Sequence, residues 1–361
     1  MSDRALLIRL GALGDTIQAS SAARLLKRQF PGVQVDFLAS AGFEGLFSLI
    51  PEVDRVFSLP YRKLPLAIHP VWRRVKSRFG EEAYGLAFLM ETNPRFLPLL
   101  RQVRAHRKIS LAGQEDLVPD LVETGPVAVR YQRALWAAGV APGEVCHPRL
   151  VTGPAERQRA NELLESLGFN PRAPLVGVHP GNSFRGRKRW KSRMRKSDLR
   201  SWPEDRWGDL VAGMHRLNPH AQFVLFGSLQ DSPANVRIQK NLRQRHAGMP
   251  VANAAGQTDL PLAAALLERF SLFLTTDTGP IHMAAALGVR LIGLYGPTRY
   301  EETRPFPEQA AAAVLRRSLP CQPCYGTPRQ AKCRDNVCMR SIEVEEVLEK
   351  AREVRPDLFA R

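Results

Sequence analysis

Apolar residues in this chain come in short runs of strand length, each followed by a glycine-bearing turn and then by apolar residues at helical spacing. Ala5-Leu6-Leu7-Ile8-Arg9-Leu10 is the first run. Gly11-Ala12-Leu13-Gly14-Asp15 breaks it, and Thr16 to Phe30 reads as a helix with Ile17, Ala22, Leu25 and Leu26 on one face. Pro31-Gly32 stops that helix, and Val33 to Leu38 alternates as a strand does. Strand, helix and strand with short connections predict a parallel sheet. Residues 55–59 and 86–90 are further strands, whereas 61–80 fit neither template and carry six Lys/Arg with no acid.

A second series opens after 151–169, which reads as helical. Pro174 to Gly181 is a strand running into a turn, and 222–226, 272–276 and 289–295 are strands of the same kind. Helices open at Trp202-Pro203-Glu204, near Pro233, after Asp277-Thr278-Gly279-Pro280, and over Glu343 to Val354. The linker falls near 150–172, which divides the chain into 1–160, 161–342 and a C-terminal helix in 343–361. The expected class is α/β: two doubly wound, Rossmann-like domains facing a central cleft. Ligands of such sheets bind outside the carboxyl ends of the strands.

Composition narrows the class. At 361 residues the chain has room for two domains, and 44% hydrophobic with 24% charged residues excludes wholesale disorder. Lys+Arg 52 against Asp+Glu 35 leaves a net charge of +17, which calls for a polyanionic partner. No stretch reaches the ~18 apolar residues of a membrane span. Arg9 interrupts the first apolar run, so a signal peptide is not expected, and five cysteines are too sparse for a secreted disulfide scaffold. A cytoplasmic protein is the expectation.

Chemistry concentrates in the turns. Asp15 is either a helix N-cap or a carboxylate positioned to take a proton, with Gly11 and Gly14 allowing a ligand near the backbone. The loop is not G-x-G-x-x-G, so the dinucleotide fingerprint is absent. Asp277-Thr278-Gly279-Pro280-Ile281-His282 joins a strand to a helix and can offer backbone N–H groups to phosphate; the plainer reading is a cap with His282 packed. His179-Pro180-Gly181-Asn182-Ser183 is a similar polar turn. Residues 185–200 hold nine Lys/Arg and one Asp, either a solvated loop or a grip on a polyanion, and Trp190 and Trp202 at its edges would suit nucleic acid. Cys321, Cys324, Cys333 and Cys338, spaced C-x2-C-x8-C-x4-C, are either a structural metal site or reduced thiols, and Cys146 reads as buried and inert.

These segments together resemble glycosyltransferase family 9, the ADP-heptose:lipopolysaccharide heptosyltransferases. The resemblance runs through Arg9-Leu10-Gly11-Ala12-Leu13-Gly14-Asp15-Thr16-Ile17, Val178-His179-Pro180-Gly181 and Trp202-Pro203-Glu204-Asp205-Arg206-Trp207. It is strongest over Thr276 to Gly288 and Leu294-Tyr295-Gly296-Pro297-Thr298, and it extends to Cys338-Met339-Arg340-Ser341-Ile342. It implies a GT-B fold with the acceptor on the N-terminal domain and the nucleotide-sugar on the C-terminal one, and inverting transfer with no metal or other cofactor. It implies that Asp15 deprotonates the acceptor hydroxyl. Gly14, His179, Asn253, Asp277, Thr278, Gly279 and His282 would serve the donor, Thr278 and Gly279 through their amides. An acidic ribose contact in the family is here Asn253. For the cation that assists departing ADP, Lys188 keeps the Lys-Arg-Trp context and Arg200 keeps the spacing to the next helix, so both stand as candidates. The partners implied are an ADP-heptose donor, a lipopolysaccharide core acceptor and the anionic inner-membrane surface, with no nucleic acid. The alternatives are a GT-B nucleotide-sugar epimerase or hydrolase, and a nucleic-acid-binding protein using 185–200.

Overall fold

The computed structural model describes residues 3–59, 77, 79, 83–113, 125–181, 199–306 and 312–359. The chain separates into two compact units, Met1–Val151 and Thr152–Arg361.

The N-terminal unit is a five-stranded sheet of β1 (Arg4–Arg9), β2 (Gln34–Ser40), β3 (Arg55–Leu59), β4 (Tyr84–Leu89) and β5 (Ala105–Ser110). Its order is β3-β2-β1-β4-β5 with every pair parallel. Central strands of a parallel sheet are covered on both faces, so they are apolar at nearly every position, as Leu6, Leu7 and Ile8 are. One face packs Leu6, Ile8, Leu38 and Leu89 against Phe96 and Leu100. On the other, helix Leu13–Gln29 pairs with helix Val127–Ala137, where Ala128 N–H donates to Gln18 Oε1 at 3.1 Å. At the amino end of the sheet, the fully buried Asp36 accepts from Arg4 of β1, from Arg55 of β3 and, at 2.8 Å, from the Tyr84 hydroxyl of β4.

The C-terminal unit holds β6 (Leu175–His179), β7 (Gln222–Leu225), β8 (Val251–Asn253), β9 (Leu272–Thr276), β10 (Leu291–Tyr295) and β11 (Ala312–Arg316). The order β11-β10-β9-β6-β7-β8, again all parallel, is the Rossmann arrangement. Trp202 and Trp207 meet edge to face at 5.0 Å in its core, and Trp202 Nε1 donates to the Ile342 carbonyl. Trp202 is therefore core and not a stacking platform, which removes one of the two tryptophans that made nucleic acid an alternative. Trp190 lies outside the described residues. The C-terminal helix Val344–Val354 seals this core with Val347 and Ala351.

The strands expected from apolar runs are present within a residue or two, and β3 spans 55–59 as expected. The first helix starts three residues earlier than its sequence suggests, at Leu13, so Asp15 lies inside its first turn. Gly14 looked like a breaker but is a buried helical residue. The 61–80 segment falls, apart from residues 77 and 79, outside the described residues.

Candidate active site

In each sheet the strand order reverses once, between β1 and β4 and between β6 and β9. Loops leaving neighbouring strands there turn to opposite faces and open a crevice at the carboxyl ends. Most of the described candidate residues collect at these two places, and Asn253 does not.

In the N-terminal unit the helix that follows β1 carries Asp15 in its first turn, and the loop after β4 carries Glu91. Arg9, the last residue of β1, lies between them: Nη2 is 3.0 Å from Asp15 Oδ2 and Nη1 is 2.6 Å from Glu91 Oε2. Glu91 also accepts the Leu10 N–H at 2.7 Å, and Asp15 accepts the Ala12 N–H at 3.2 Å. Ala12 is the N-cap, so Asp15 holds the helix start from the third helical position instead of capping it. Burial opposes the Arg9 charge, but the Asp15 and Glu91 carboxylates more than offset it and hold the guanidinium firmly protonated. Gly11 gives room for a close approach: a Cβ there would come within 2.8 Å of both Arg9 Nη2 and Asp15 Oδ2, so either side chain would have to shift. The Asp15 side chain remains 39% exposed, open to a reactant.

In the C-terminal unit β6 delivers His179 and β9 delivers Asp277 and Thr278. His179 Nδ1 lies 3.0 Å from Thr275 Oγ1 and 3.3 Å from Thr278 Oγ1, and its Nε2 is 3.6 Å from Asp231 Oδ2. Burial raises the Asp231 carboxyl, yet hydrogen bonding to His179 and Ser228 outweighs it and leaves the pKa below the usual carboxylate range. A Cβ on Gly181 would fall inside the Asp231 carboxylate, so the turn after β6 admits glycine alone. The Thr278 hydroxyl is thus turned into the loop, leaving its main chain to cap helix Gly279–Ala286. The first N–H groups of a helix lack partners within it and suit an anion. Asp277 is buried; burial pushes its carboxyl up, against the pull of His282, Thr298, Arg200 and Thr303. Arg200 reaches this loop, whereas Lys188 and the rest of 182–198 lie outside the described residues.

Asn253 ends β8, two strands from His179, and its amide is engaged by Asn235, Ser232 and the Ala255 N–H. Of the cysteines, Cys324 and Cys338 are buried and Cys321 is exposed. Among the described residues no group of three or more His, Cys, Asp or Glu side chains is placed to hold a metal ion. An open hollow of about 780 Å³ at the far end of helix Leu13–Gln29 is lined by Arg24, Lys27 and Arg28, but Lys27 pairs with Asp54 at 2.7 Å and Arg28 with Glu144 at 3.0 Å. Sequence reasoning missed Glu91 and Asp231. Both act through partners distant in sequence, and only the strand order brings them together.

The family model described as "Glycosyltransferase family 9 (heptosyltransferase)" matches residues 121–334, well over half of the chain. The chain belongs to glycosyltransferase family 9. Its similarity to lipopolysaccharide heptosyltransferase 2 of Salmonella typhimurium is 27% identity over 84% of this chain and 85% of that protein. Lipooligosaccharide heptosyltransferase 2 of Haemophilus influenzae is 26% identical over 86% and 88%. Among solved structures, the ADP-heptose lps heptosyltransferase II of E. coli superposes with a TM-score of 0.75 at 21% identity, covering 98% of this chain and 99% of that one. A family 9 glycosyltransferase of Veillonella parvula gives 0.78 at 19%, covering 98% and 97%. Two Rossmann-type units in one chain make this family 9 enzyme a GT-B glycosyltransferase. Among the described residues no helix is long and apolar enough to cross a membrane.

Proposed function

We propose that this enzyme transfers a heptose from ADP-heptose to the inner core of lipopolysaccharide, inverting the anomeric centre. One observation carries the reading: the β6/β9 reversal of the C-terminal sheet gathers His179, Asp277, Thr278 and Arg200 around the start of one helix. That is a place for a diphosphate, with a cation and helix amides on it and a buried carboxylate beneath. The full-length relatives support the sugar and the acceptor, since both are lipopolysaccharide or lipooligosaccharide heptosyltransferases.

The acceptor hydroxyl is a weak nucleophile until a base takes its proton. Asp15 takes it as the oxygen attacks the anomeric carbon. The bond from that carbon to the diphosphate oxygen breaks on the opposite face, and its electron pair leaves with ADP. Charge developing on the diphosphate is met by Arg200, by the Thr278 and Gly279 amides and by the positive end of the helix. His282 and Asp277 line the donor, Gly14 backs the Asp15 turn, and Asn253 faces the ribose in place of an acid. The positive surplus of the chain suits an anionic leaflet on the cytoplasmic side, at about 1 kcal/mol per basic group near it.

The test is incubation with a panel of ADP- and UDP-sugars and lipopolysaccharide cores truncated before the heptoses, with mass spectrometry of the products. The expected result is addition of one heptose from the ADP-sugar. Release or isomerisation of free sugar without acceptor modification would overturn the reading.

A further inference from the structure

Arg9 has two carboxylates and one charge. Asp15 and Glu91 both touch it, one on each terminal nitrogen, and its side chain is only 13% exposed. Helix Val127–Ala137 closes the other side with Tyr131, whose phenol is raised by burial and so stays neutral in the ordinary assay range, and with Arg130, which acts on Tyr131. Among the described residues Arg9, Glu91 and Tyr131 are the ionisable groups tied to Asp15 from the three elements packed there, and Arg130 bears on Tyr131.

When Asp15 is ionised the trio carries a net −1. When Asp15 has taken a proton, Arg9 and Glu91 remain as a neutral pair and no buried charge is left alone. An isolated Arg9–Asp15 pair would behave oppositely: protonating Asp15 would strand a buried guanidinium, which is costly. We propose that Glu91 is a positioning residue: it shares the charge of Arg9, so that Arg9 aims the Asp15 carboxylate without having it as its sole counter-charge. The inference rests on the reading of Asp15 as the base of the transfer and assigns the residues that tune it.

The geometry supports the assignment in two further ways. Glu91 receives the Leu10 N–H, which ties the end of β1 to the loop after β4 and fixes where Arg9 projects. Gly11 leaves room for the guanidinium to pass over the loop to Asp15.

The experiment compares kcat–pH profiles of the full chain and its variants, using ADP-heptose and heptose-deficient lipopolysaccharide. Glu91→Gln keeps the acceptor for Leu10 N–H and removes the charge. Arg9 then holds Asp15 in its ionised form, so the acidic limb should move to lower pH by about one unit, with kcat at neutral pH falling about tenfold and the donor KM unchanged. Glu91→Asp should restore part of the rate. Arg9→Gln should move the limb the opposite way, and it is the reading to use if Glu91→Gln does not fold. In an Asp15→Asn background, Glu91→Gln should cost nothing more, since it acts through Asp15.

A lower rate with an unmoved acidic limb in both variants would make Glu91 a structural group and overturn the inference. If Asp15→Asn alone retains wild-type turnover, the base assignment and this inference fall together. If Asp15→Asn is inactive while Glu91→Gln matches wild type in rate and limb, only the inference falls.

Discussion

Arg200 donates from Nη1 to the main-chain carbonyl of Asp277 at 3.2 Å, and its guanidinium lies 4.7 Å from the centroid of the Tyr325 ring. The last residue of the basic run is thereby tied to the loop after β9. The ring holds the cation without neutralising it. Arg200→Gln should lower turnover about 10- to 100-fold at saturating donor and acceptor, because the interaction it removes grows as the diphosphate gains charge. Steady-state kinetics with both substrates saturating check this, and an unchanged kcat would leave Arg200 as a brace for the cysteine segment.

Asp277 makes an opposite demand on stability. Its folded-state pKa is raised, chiefly by burial, so the favourable contribution belongs to the protonated form and is lost as pH rises through the raised value. Asp277→Asn stays neutral at all pH and can still accept from Thr303 through its amide oxygen. At pH 7–8 it should therefore match or exceed the wild-type Tm while losing most activity, a trade common where sites are built from buried charge. Calorimetry beside activity measurement reads both halves.

The buried His179–Asp231 contact behaves in the reverse sense. Asp231 is depressed, so its contribution is present above the ordinary carboxylate range and disappears as pH falls through the folded value. The Tm difference between wild type and Asp231→Asn should be largest near pH 6–7 and shrink below about pH 4. A difference independent of pH would detach the Asp231 charge from its contacts with His179 and Ser228.

The thiols should differ in reactivity. Burial, with Cys324, Cys333 and Cys321 nearby, pushes Cys338 up to about 11, while Cys321 is exposed. Alkylation with iodoacetamide at pH 8, mapped by mass spectrometry, should label Cys321 well before Cys338. Equal labelling rates in the folded protein would contradict the burial.

Asp36 offers a stability measurement free of catalysis. Asp36→Ala should cost about 1–3 kcal/mol, since it removes the buried acceptor that Arg4, Arg55 and Tyr84 share. Denaturant titration of the variant checks it, and a loss under 1 kcal/mol would show the arginines re-solvated.

Much of this was legible in the residue pattern, and the strands it misses, β5, β8 and β11, all stand at sheet edges. Interior strands such as β1, β6 and β9 announce themselves because both faces are covered and nearly every side chain is apolar. The edge strand β5 reads Ala-His-Arg-Lys-Ile-Ser, half exposed and too polar to stand out, and β8 is only three residues long. Asp15, His179 and the Asp277–His282 turn could be chosen because strand ends advertise their loops. Glu91 and Asp231 could not. Glu91 meets Arg9 across 82 positions and Asp231 meets His179 across 52, and nothing local in the chain encodes either meeting.

The carboxylate of Asp36 joins side chains from four adjacent strands at the amino end of the first sheet. An all-apolar parallel sheet has little in its outer chemistry to forbid a one-residue slip, because every slipped side chain is still greasy. Asp36 forbids it, since sliding β4 takes Tyr84 away and sliding β3 takes Arg55. In the native register Ile8 stands beside Leu89, which puts Arg9 and Glu91 together at the far end. The clamp stands at the level of Leu6, roughly 10 Å from Arg9 at 3.3 Å per residue along β1, and it works as an alignment pin. Loosening it would shift Arg9 and Glu91, and with them the Asp15 carboxylate, without touching a single residue of the crevice.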